Sequence, residues 1–335
     1  MVNMHLKIYG IVGVLITIIK DCRCECKFAS VECPNLEIQF WLYKNDSQAD
    51  EALLLDPLQL NAQDFEPRRP LRILIHGFNG HRDHSPNVEV RPVLLQAEPV
   101  HVLSVDYSPL ARFPCYYPWA VNNAQNVAIC LAQLVDNLIE SGIYRREDIH
   151  LIGFSLGGQI AGLTANYVRH RLRRITALDP ASPGFISPDY DAILDASDAD
   201  FVDVIHTDPF LYGVYLPRGH ADFYPNLKYL SQPGCLPWQN KELRNCNHYR
   251  APLYYAESIS TKKGFWSYPC GNLWEFQLQN CNKFAHLQHV LMGYFVPENA
   301  NGSYFLTTNS ETPFAKGFLF NADIELEVSE QNNTL

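Results

Sequence analysis

The sequence predicts an α/β fold, a mainly parallel central sheet with helices on both faces. Three observations lead there. Short apolar runs recur from about residue 70 onward, longer stretches between them carry helical periodicity, and the apolar runs end in polar or glycine-rich turns. Strands separated by helices at this spacing build parallel sheets, and ligand chemistry in such sheets sits at the carboxyl ends of the strands.

The elements follow in chain order. Leu71 to Ile75 is a short apolar strand running into His76-Gly77-Phe78, and Val100 to Val105 is a second, ending at Asp106. From Val121, apolar residues recur at 124, 128, 131, 135 and 138, steps of three and four that place them on one helical face, and Gly142 is a natural stop. Ile149 to Ile152 is the next strand, followed by a glycine-rich turn and a helical stretch from Gln159 to His170. Arg174 to Leu178 and Phe201 to His206 supply two more strands.

Composition narrows the class. The 335 residues carry a net charge of −10, without the basic face of a general nucleic-acid binder. With 47% hydrophobic and 19% charged residues, the chain can bury a large core and is not a disordered tail. Collagen, coiled coil and polytopic membrane protein are excluded.

The one strongly apolar run, Ile8 to Ile19 after Lys7, is shorter than the roughly 20 residues that cross a bilayer. It reads as a secretory signal peptide over residues 1–24, with residues 25–335 expected to form one domain. Ten cysteines agree with an extracellular destination, since oxidising compartments preserve disulfides. Local spacing pairs Cys235 with Cys246 and Cys270 with Cys281; for Cys26, Cys33, Cys115 and Cys130 the pairing stays open. No CxxC pair occurs, which argues against zinc. Sequons at Asn45, Asn301 and Asn332 are compatible with secretion and glycosylation.

Gly153-Phe154-Ser155-Leu156-Gly157 carries the chemistry. The G-x-S-x-G pattern alone arises by chance in roughly one chain of this length in ten. Here it follows an apolar strand and opens a helix, the setting of a nucleophile elbow. A serine hydroxyl needs a base to take its proton, and the base needs a third group to fix its tautomer. In elbow folds acid and then histidine follow the serine along the chain. Asp179 and Asp208 both fit as the acid, each at a strand end. Of the later histidines, His206 caps an apolar strand and suits a core role, whereas His248 lies two residues after a disulfide cysteine that would restrain a catalytic loop. These residues favour His248 without deciding among them. The N–H of Leu156, directly after the nucleophile, suits an oxyanion donor.

His76-Gly77-Phe78, Gly153-Phe154-Ser155-Leu156-Gly157-Gly158, Leu178-Asp179-Pro180-Ala181, Val204-Ile205-His206-Thr207-Asp208, Gly219-His220-Ala221-Asp222-Phe223-Tyr224-Pro225-Asn226 and Cys246-Asn247-His248 together resemble the animal pancreatic-type lipase family, in its order, from about residue 70 to 295. That family includes secreted triacylglycerol lipases, phospholipases A1 and insect yolk-protein relatives. The resemblance implies an α/β-hydrolase fold with Ser155 as nucleophile, Asp179 as acid, His248 as base and the Phe78 N–H as second oxyanion donor. Asp208 becomes the runner-up acid.

It also implies that the segment closed by Cys235 and Cys246, with Trp238 and Leu236 for lipid and Lys241 and Arg244 for phosphate, is a lid over the site. Ten residues lie between those cysteines, a short lid like that of the phospholipase A1 branch, and the segment from Pro209 to Arg218 that forms a second wall is short as well. The expected substrate is thus the sn-1 ester of a glycerophospholipid at a membrane or lipoprotein surface, with triacylglycerol as the alternative. A non-catalytic lipid-binding or yolk-type storage protein is the alternative of another class. After Cys281 only 54 residues follow, too few for the family's C-terminal β-sandwich, so no colipase-type partner is expected. No cofactor is required. Asp195 and Asp198 stand where some members hold calcium, which would be structural.

Overall fold

A computed structural model describes residues 26–30, 32–44, 52–227, 231–235, 245–271, 274–275, 281 and 288–318. Its strands are β1 (Gln39–Tyr43), β2 (Leu53–Leu54), β3 (Leu71–Ile75), β4 (His101–Asp106), β5 (Ile149–Phe154), β6 (Leu172–Leu178), β7 (Ala199–Ile205), β8 (Ala221–Pro225), β9 (Phe265–Cys270), β10 (Val290–Met292) and β11 (Gly302–Leu306). Four longer helices accompany them, α1 (Asn87–Ala97), α2 (Tyr117–Glu140), α3 (Leu156–Ala165) and α4 (Cys246–Ser260).

The strands form one sheet in the order β10-β9-β11-β8-β7-β6-β5-β3-β4-β1-β2. Every pairing from β11 through β8, β7, β6, β5 and β3 to β4 is parallel, and antiparallel strands close both edges. This is the expected α/β-hydrolase arrangement. The five strands read from the sequence are all present, with ends shifted by up to two residues. The antiparallel edge strands carry no helix-alternating signal; residues beyond Cys281 do help complete the sheet, as β10 and β11. The sequence also suggests a short strand from Gly317 to Phe320; Gly317 and Phe318 carry no strand structure, and residues 319–320 lie outside the described ones.

Alternation along the strands explains why both faces are covered. Ile73 and Ile75 point into one core with Leu103, Val105 and Leu151, while Leu74, Val102 and Ile152 point into the other. The first core takes the apolar faces of α2 and α3, through Val127, Leu131 and Ile160. The second takes α1 and α4, through Val90, Leu94, Ala251 and Tyr254. Each such fully buried aliphatic side chain stabilises the fold by roughly 1.5–3 kcal/mol.

Helix α2 begins four residues before Val121, because Pro118 is tolerated in a first turn that lacks intrahelical N–H partners. Helix α3 begins at Leu156 rather than Gln159 and stops at Ala165, so the chain turns from strand to helix at the serine itself.

Among the described residues, four disulfides close loops. Cys235–Cys246 and Cys270–Cys281 pair as the spacing suggests, and Cys26–Cys115 and Cys33–Cys130 complete the set. The last two span 89 and 97 residues, and cross-links of that reach constrain the unfolded chain by about 4–5 kcal/mol in the loop-entropy account. They fasten the N-terminal segment to α2 and to the turn just before it, and the buried Asn123 amide of α2 donates to the carbonyls of Lys27 and Leu110. Among the described residues, no helix is long and apolar enough to cross a membrane; the proposed signal segment, residues 1–24, lies outside them.

Candidate active site

Ser155 occupies the bend between β5 and α3 with φ 55° and ψ −120°, a region that non-glycine residues avoid. Such a conformation costs of order 1–3 kcal/mol and persists only where surroundings enforce it. Here the Ser155 N–H donates to the Leu178 carbonyl, and the Ser155 carbonyl accepts from Gly158 and Ala181. Helix α3 can approach β3 this closely because residue 157 is glycine: a Cβ there would fall 2.2 Å from the Ile75 carbonyl oxygen.

Asp179 extends the end of β6, its N–H donating to the Ile205 carbonyl at 2.8 Å. Its carboxylate is fully buried and fully engaged. Oδ1 accepts the N–H groups of Thr207 (2.7 Å) and Asp208 (3.0 Å), and Oδ2 lies 2.6 Å from His248 Nδ1. With Nδ1 facing a carboxylate, the imidazole carries its proton there and leaves Nε2 as the acceptor. Gly213 makes room for the acid, since a Cβ at 213 would stand 2.4 Å from Oδ1.

His248 is the third residue of α4, not a loop residue as its place beside a cysteine suggested. The disulfide sits at the start of this helix, so the restraint comes from helix and cross-link together. The ring packs at 4.6 Å between centroids against Phe154, the residue preceding Ser155, and at 5.5 Å against Tyr212. Among the described residues the structure joins base to acid by a hydrogen bond and gives none between Ser155 Oγ and His248. Hydrogen bonds of this kind are commonly loose without substrate and tighten when it binds.

The loop after β3 faces the serine. A Cβ on Gly77 would stand 2.9 Å from Ser155 Cβ and 3.4 Å from Oγ. The next residue, Phe78, rests its ring edgewise on Tyr117 at 5.2 Å. The N–H groups of Phe78 and Leu156 have no hydrogen-bond partner among the described residues. His76 belongs to the scaffold: it is fully buried and stacked on Tyr107, Nδ1 facing the Gly77 carbonyl at 2.8 Å and Nε2 accepting the Tyr107 N–H at 3.2 Å. His206 is held likewise, stacked on Tyr224 between the Val214 carbonyl and Asp222.

Asp208, the runner-up acid, contributes its backbone to Asp179. Its own carboxyl is buried and pushed up to about 6 by burial and by the neighbouring Asp179. The structure brings Asp179 and His248 into contact and sets Ser155 on the strand–helix bend, and it adds supports that the sequence did not single out. Thr207 acts through its main chain, and Gln232 and Asn247 resemble ordinary loop polar residues until their contacts are known.

Of the proposed lid, the Cys235–Cys246 cross-link is present, while residues 236–244, Trp238 included, lie outside the described ones. The segment from Pro209 to Arg218, expected to form a second wall, exposes Phe210, Leu211 and Leu216.

Asp195 and Asp198 cap a short 3-10 turn, each accepting a backbone N–H from the other end of it. Asp195 Oδ2 is buried without a hydrogen-bond partner, and Asp198 is pushed up to about 8 chiefly by burial. No group of three or more His, Cys, Asp or Glu stands together among the described residues, so a cation here would need backbone or water oxygens to complete its shell.

The profile of the family described as Lipase matches residues 19–314. Human "Inactive pancreatic lipase-related protein 1" is 34% identical over 305 residues, covering 83% of this chain and 64% of that protein. "Pancreatic lipase-related protein 2" of Cavia porcellus is 34% identical, covering 84% and 66%, and "Pancreatic triacylglycerol lipase" of the same animal is 30% identical, covering 84% and 65%. The matched region thus spans a little under two thirds of each of these relatives.

Proposed function

This chain belongs to the Lipase family, and from that premise we propose that it hydrolyses carboxyl esters of lipids through an acyl-Ser155 intermediate. The observation that carries the reading is the buried 2.6 Å contact between Asp179 and His248, beside a serine held at positive φ on a strand–helix bend. In this reading His248 Nε2 takes the Ser155 proton as Oγ attacks the ester carbonyl carbon. Asp179 stays ionised and stabilises the imidazolium through Nδ1. The N–H groups of Leu156 and Phe78 receive the charge that develops on the carbonyl oxygen, and loss of one such donor typically costs about 3–4 kcal/mol. His248 then protonates the departing alcohol. In the second half it activates water, which attacks the acyl carbon and releases Ser155.

The proposed substrate is a glycerophospholipid at its sn-1 ester. The support is the brevity of the two walls, ten residues between Cys235 and Cys246 and ten from Pro209 to Arg218, which leave a more open approach for a polar headgroup. Triacylglycerol is the alternative. The exposed Phe210, Leu211 and Leu216 suit contact with a lipid surface in either case. Four disulfides favour an extracellular setting, and Asn301, exposed just ahead of β11, is open to glycosylation. Asp195 and Asp198 would hold a structural calcium ion, whose role is to neutralise two buried carboxyls; no step of the ester chemistry needs it.

A second reading is a lipid-binding protein without turnover, raised by the relative whose name calls it inactive. Ser155, Asp179 and His248 are all present here, which favours catalysis. Treatment with a fluorophosphonate and mapping of the adduct separates the two: labelling at Ser155, abolished in Ser155→Ala, is expected, and folded protein without an adduct would leave the binding reading. A panel of phospholipid, triacylglycerol and short-chain ester substrates then assigns the branch.

A further inference from the structure

Gln232 lies three residues before the cysteine that closes the lid segment, and its side chain is buried. Its amide uses its full hydrogen-bonding capacity. Nε2 donates to the carbonyls of Thr207 and Pro225, both at 2.9 Å. Oε1 accepts from Asn226 Nδ2 at 2.8 Å and from the Tyr254 hydroxyl at 3.1 Å. Two carbonyls on one side and two donors on the other fix which way the amide faces.

The Thr207 carbonyl is one end of a peptide group whose other end is the Asp208 N–H, and that N–H donates to Asp179 Oδ1. A peptide group is a rigid plane. A single line of hydrogen bonds therefore runs from Gln232 Nε2 through the 207–208 peptide to Asp179, and from Asp179 Oδ2 to His248 Nδ1. The same glutamine also reaches the base from the other side. Its backbone N–H donates at 2.8 Å to Oδ1 of Asn247, the residue before His248. Its carbonyl accepts the Cys235 N–H at 2.9 Å. The path closes on itself, and among the described residues Gln232 is the one that touches the acid's support, the base's helix and the root of the disulfide loop.

We propose that Gln232 is a positioning residue for the ester hydrolysis proposed above, holding Asp179 and His248 in register through the 207–208 peptide and Asn247. The inference rests on that catalytic reading. It touches neither substrate nor reacting atoms, so its removal should alter the rate of acylation more than substrate affinity. Gln232→Met keeps the volume and deletes all four side-chain hydrogen bonds. Tyr254→Phe deletes the bond to the same Oε1 on the side away from Thr207, together with the 3.0 Å contact to Thr308 Oγ1, and thus reports the effect of disturbing the surrounding network while the link to Thr207 stays.

The test measures the rate of fluorophosphonate labelling of Ser155, with kcat and KM for p-nitrophenyl butyrate, in the wild type, Gln232→Met, Tyr254→Phe, Asp179→Asn and the Gln232→Met/Asp179→Asn pair. The expected result is a tenfold or greater fall in labelling rate and kcat for Gln232→Met, with KM within twofold, and near wild-type rates for Tyr254→Phe. Gln232→Met should cost little more once Asp179 is asparagine, because both changes break one line. A folded Gln232→Met protein that labels at the wild-type rate, or one whose loss is undiminished in the Asp179→Asn background, overturns the proposal. Should Gln232→Met fail to fold, Gln232→Asn, which draws the amide back by one methylene, is judged by the same readings. Absence of labelling in the wild type would instead sink the catalytic reading, and this inference with it.

Discussion

His248 and Asp179 meet through Nδ1 and Oδ2 at 2.6 Å, while the other oxygen of the same carboxylate is held by two consecutive main-chain N–H groups, those of Thr207 and Asp208. The acid is therefore oriented by backbone from β7's end and not by another side chain, so its angle to the imidazole is set by the sheet. The base, by contrast, comes from a helix on the other side of a cross-link.

Asp179→Asn reverses one partner in that contact. An amide NH2 can face Nδ1 only if the imidazole moves its proton to Nε2, which removes the acceptor needed by Ser155. Turnover of a soluble ester is expected to fall by about 10³–10⁴, the scale seen when a triad acid is so replaced, with KM little changed. Steady-state kinetics alongside a thermal melt would check it; an activity loss of less than tenfold would mean that another carboxylate, Asp208 first, serves as the acid.

Gly213→Ala attacks the same carboxylate from outside. The added methyl would stand 2.4 Å from Oδ1, inside any permitted contact, and the carboxylate or the 207–208 peptide has to shift. Overpacking of this sort costs roughly 1–3 kcal/mol. The expected outcome is a lower melting temperature together with a kcat loss out of proportion to it. A variant with wild-type kcat would show that the acid tolerates displacement.

The chain's own carboxyl chemistry predicts a pH effect. Asp208 is pushed up to about 6 by burial and then by Asp179, from an ordinary value near 3.8. The folded state thus binds this proton more tightly than the unfolded chain does. Stability from the group is complete below about pH 4 and is lost as pH rises through about 6, a change of ~3 kcal/mol. Asp208→Asn should therefore gain on the wild type between pH 4 and pH 7 in urea unfolding. A difference that stays level across that range would contradict the assignment.

Calcium should act through Asp198. At pH 7.5 in millimolar calcium, occupancy at 100 times the dissociation constant would stabilise the fold by about 2.7 kcal/mol. The rise in melting temperature should vanish in Asp198→Asn and after chelation. An equal rise in the variant would place the ion elsewhere.

What the sequence disclosed of this site follows from which constraints are local. Ser155 was legible because a sharp bend at the end of a strand excludes side chains at its flanks, and Gly157 records that exclusion directly in the residue type. The parallel strands were legible because both their faces are buried and their apolar runs are continuous. The residues alone left Asp179 and Asp208 level, because each follows a strand and neighbouring strands bring the two ends together; the resemblance pointed to Asp179, and it is Asp179 whose carboxylate lies against His248. His248 read as a loop residue because helix α4 opens with Cys246-Asn247-His248 and shows its apolar face, Ala251, Tyr254 and Tyr255, only after a further turn. Gln232 gave no signal at all, since its partners lie up to 25 positions away in the chain.

The base stands at one end of a fifteen-residue beam seated in the core by Ala251, Tyr254, Tyr255 and Ile259, and the two sulfurs ahead of it pin the neighbouring strap at both ends. The place of the imidazole is thus set by the helix and its packing in the core. Under the proposed function, a graft between Cys235 and Cys246 is therefore expected to change substrate choice while proton transfer by His248 is kept.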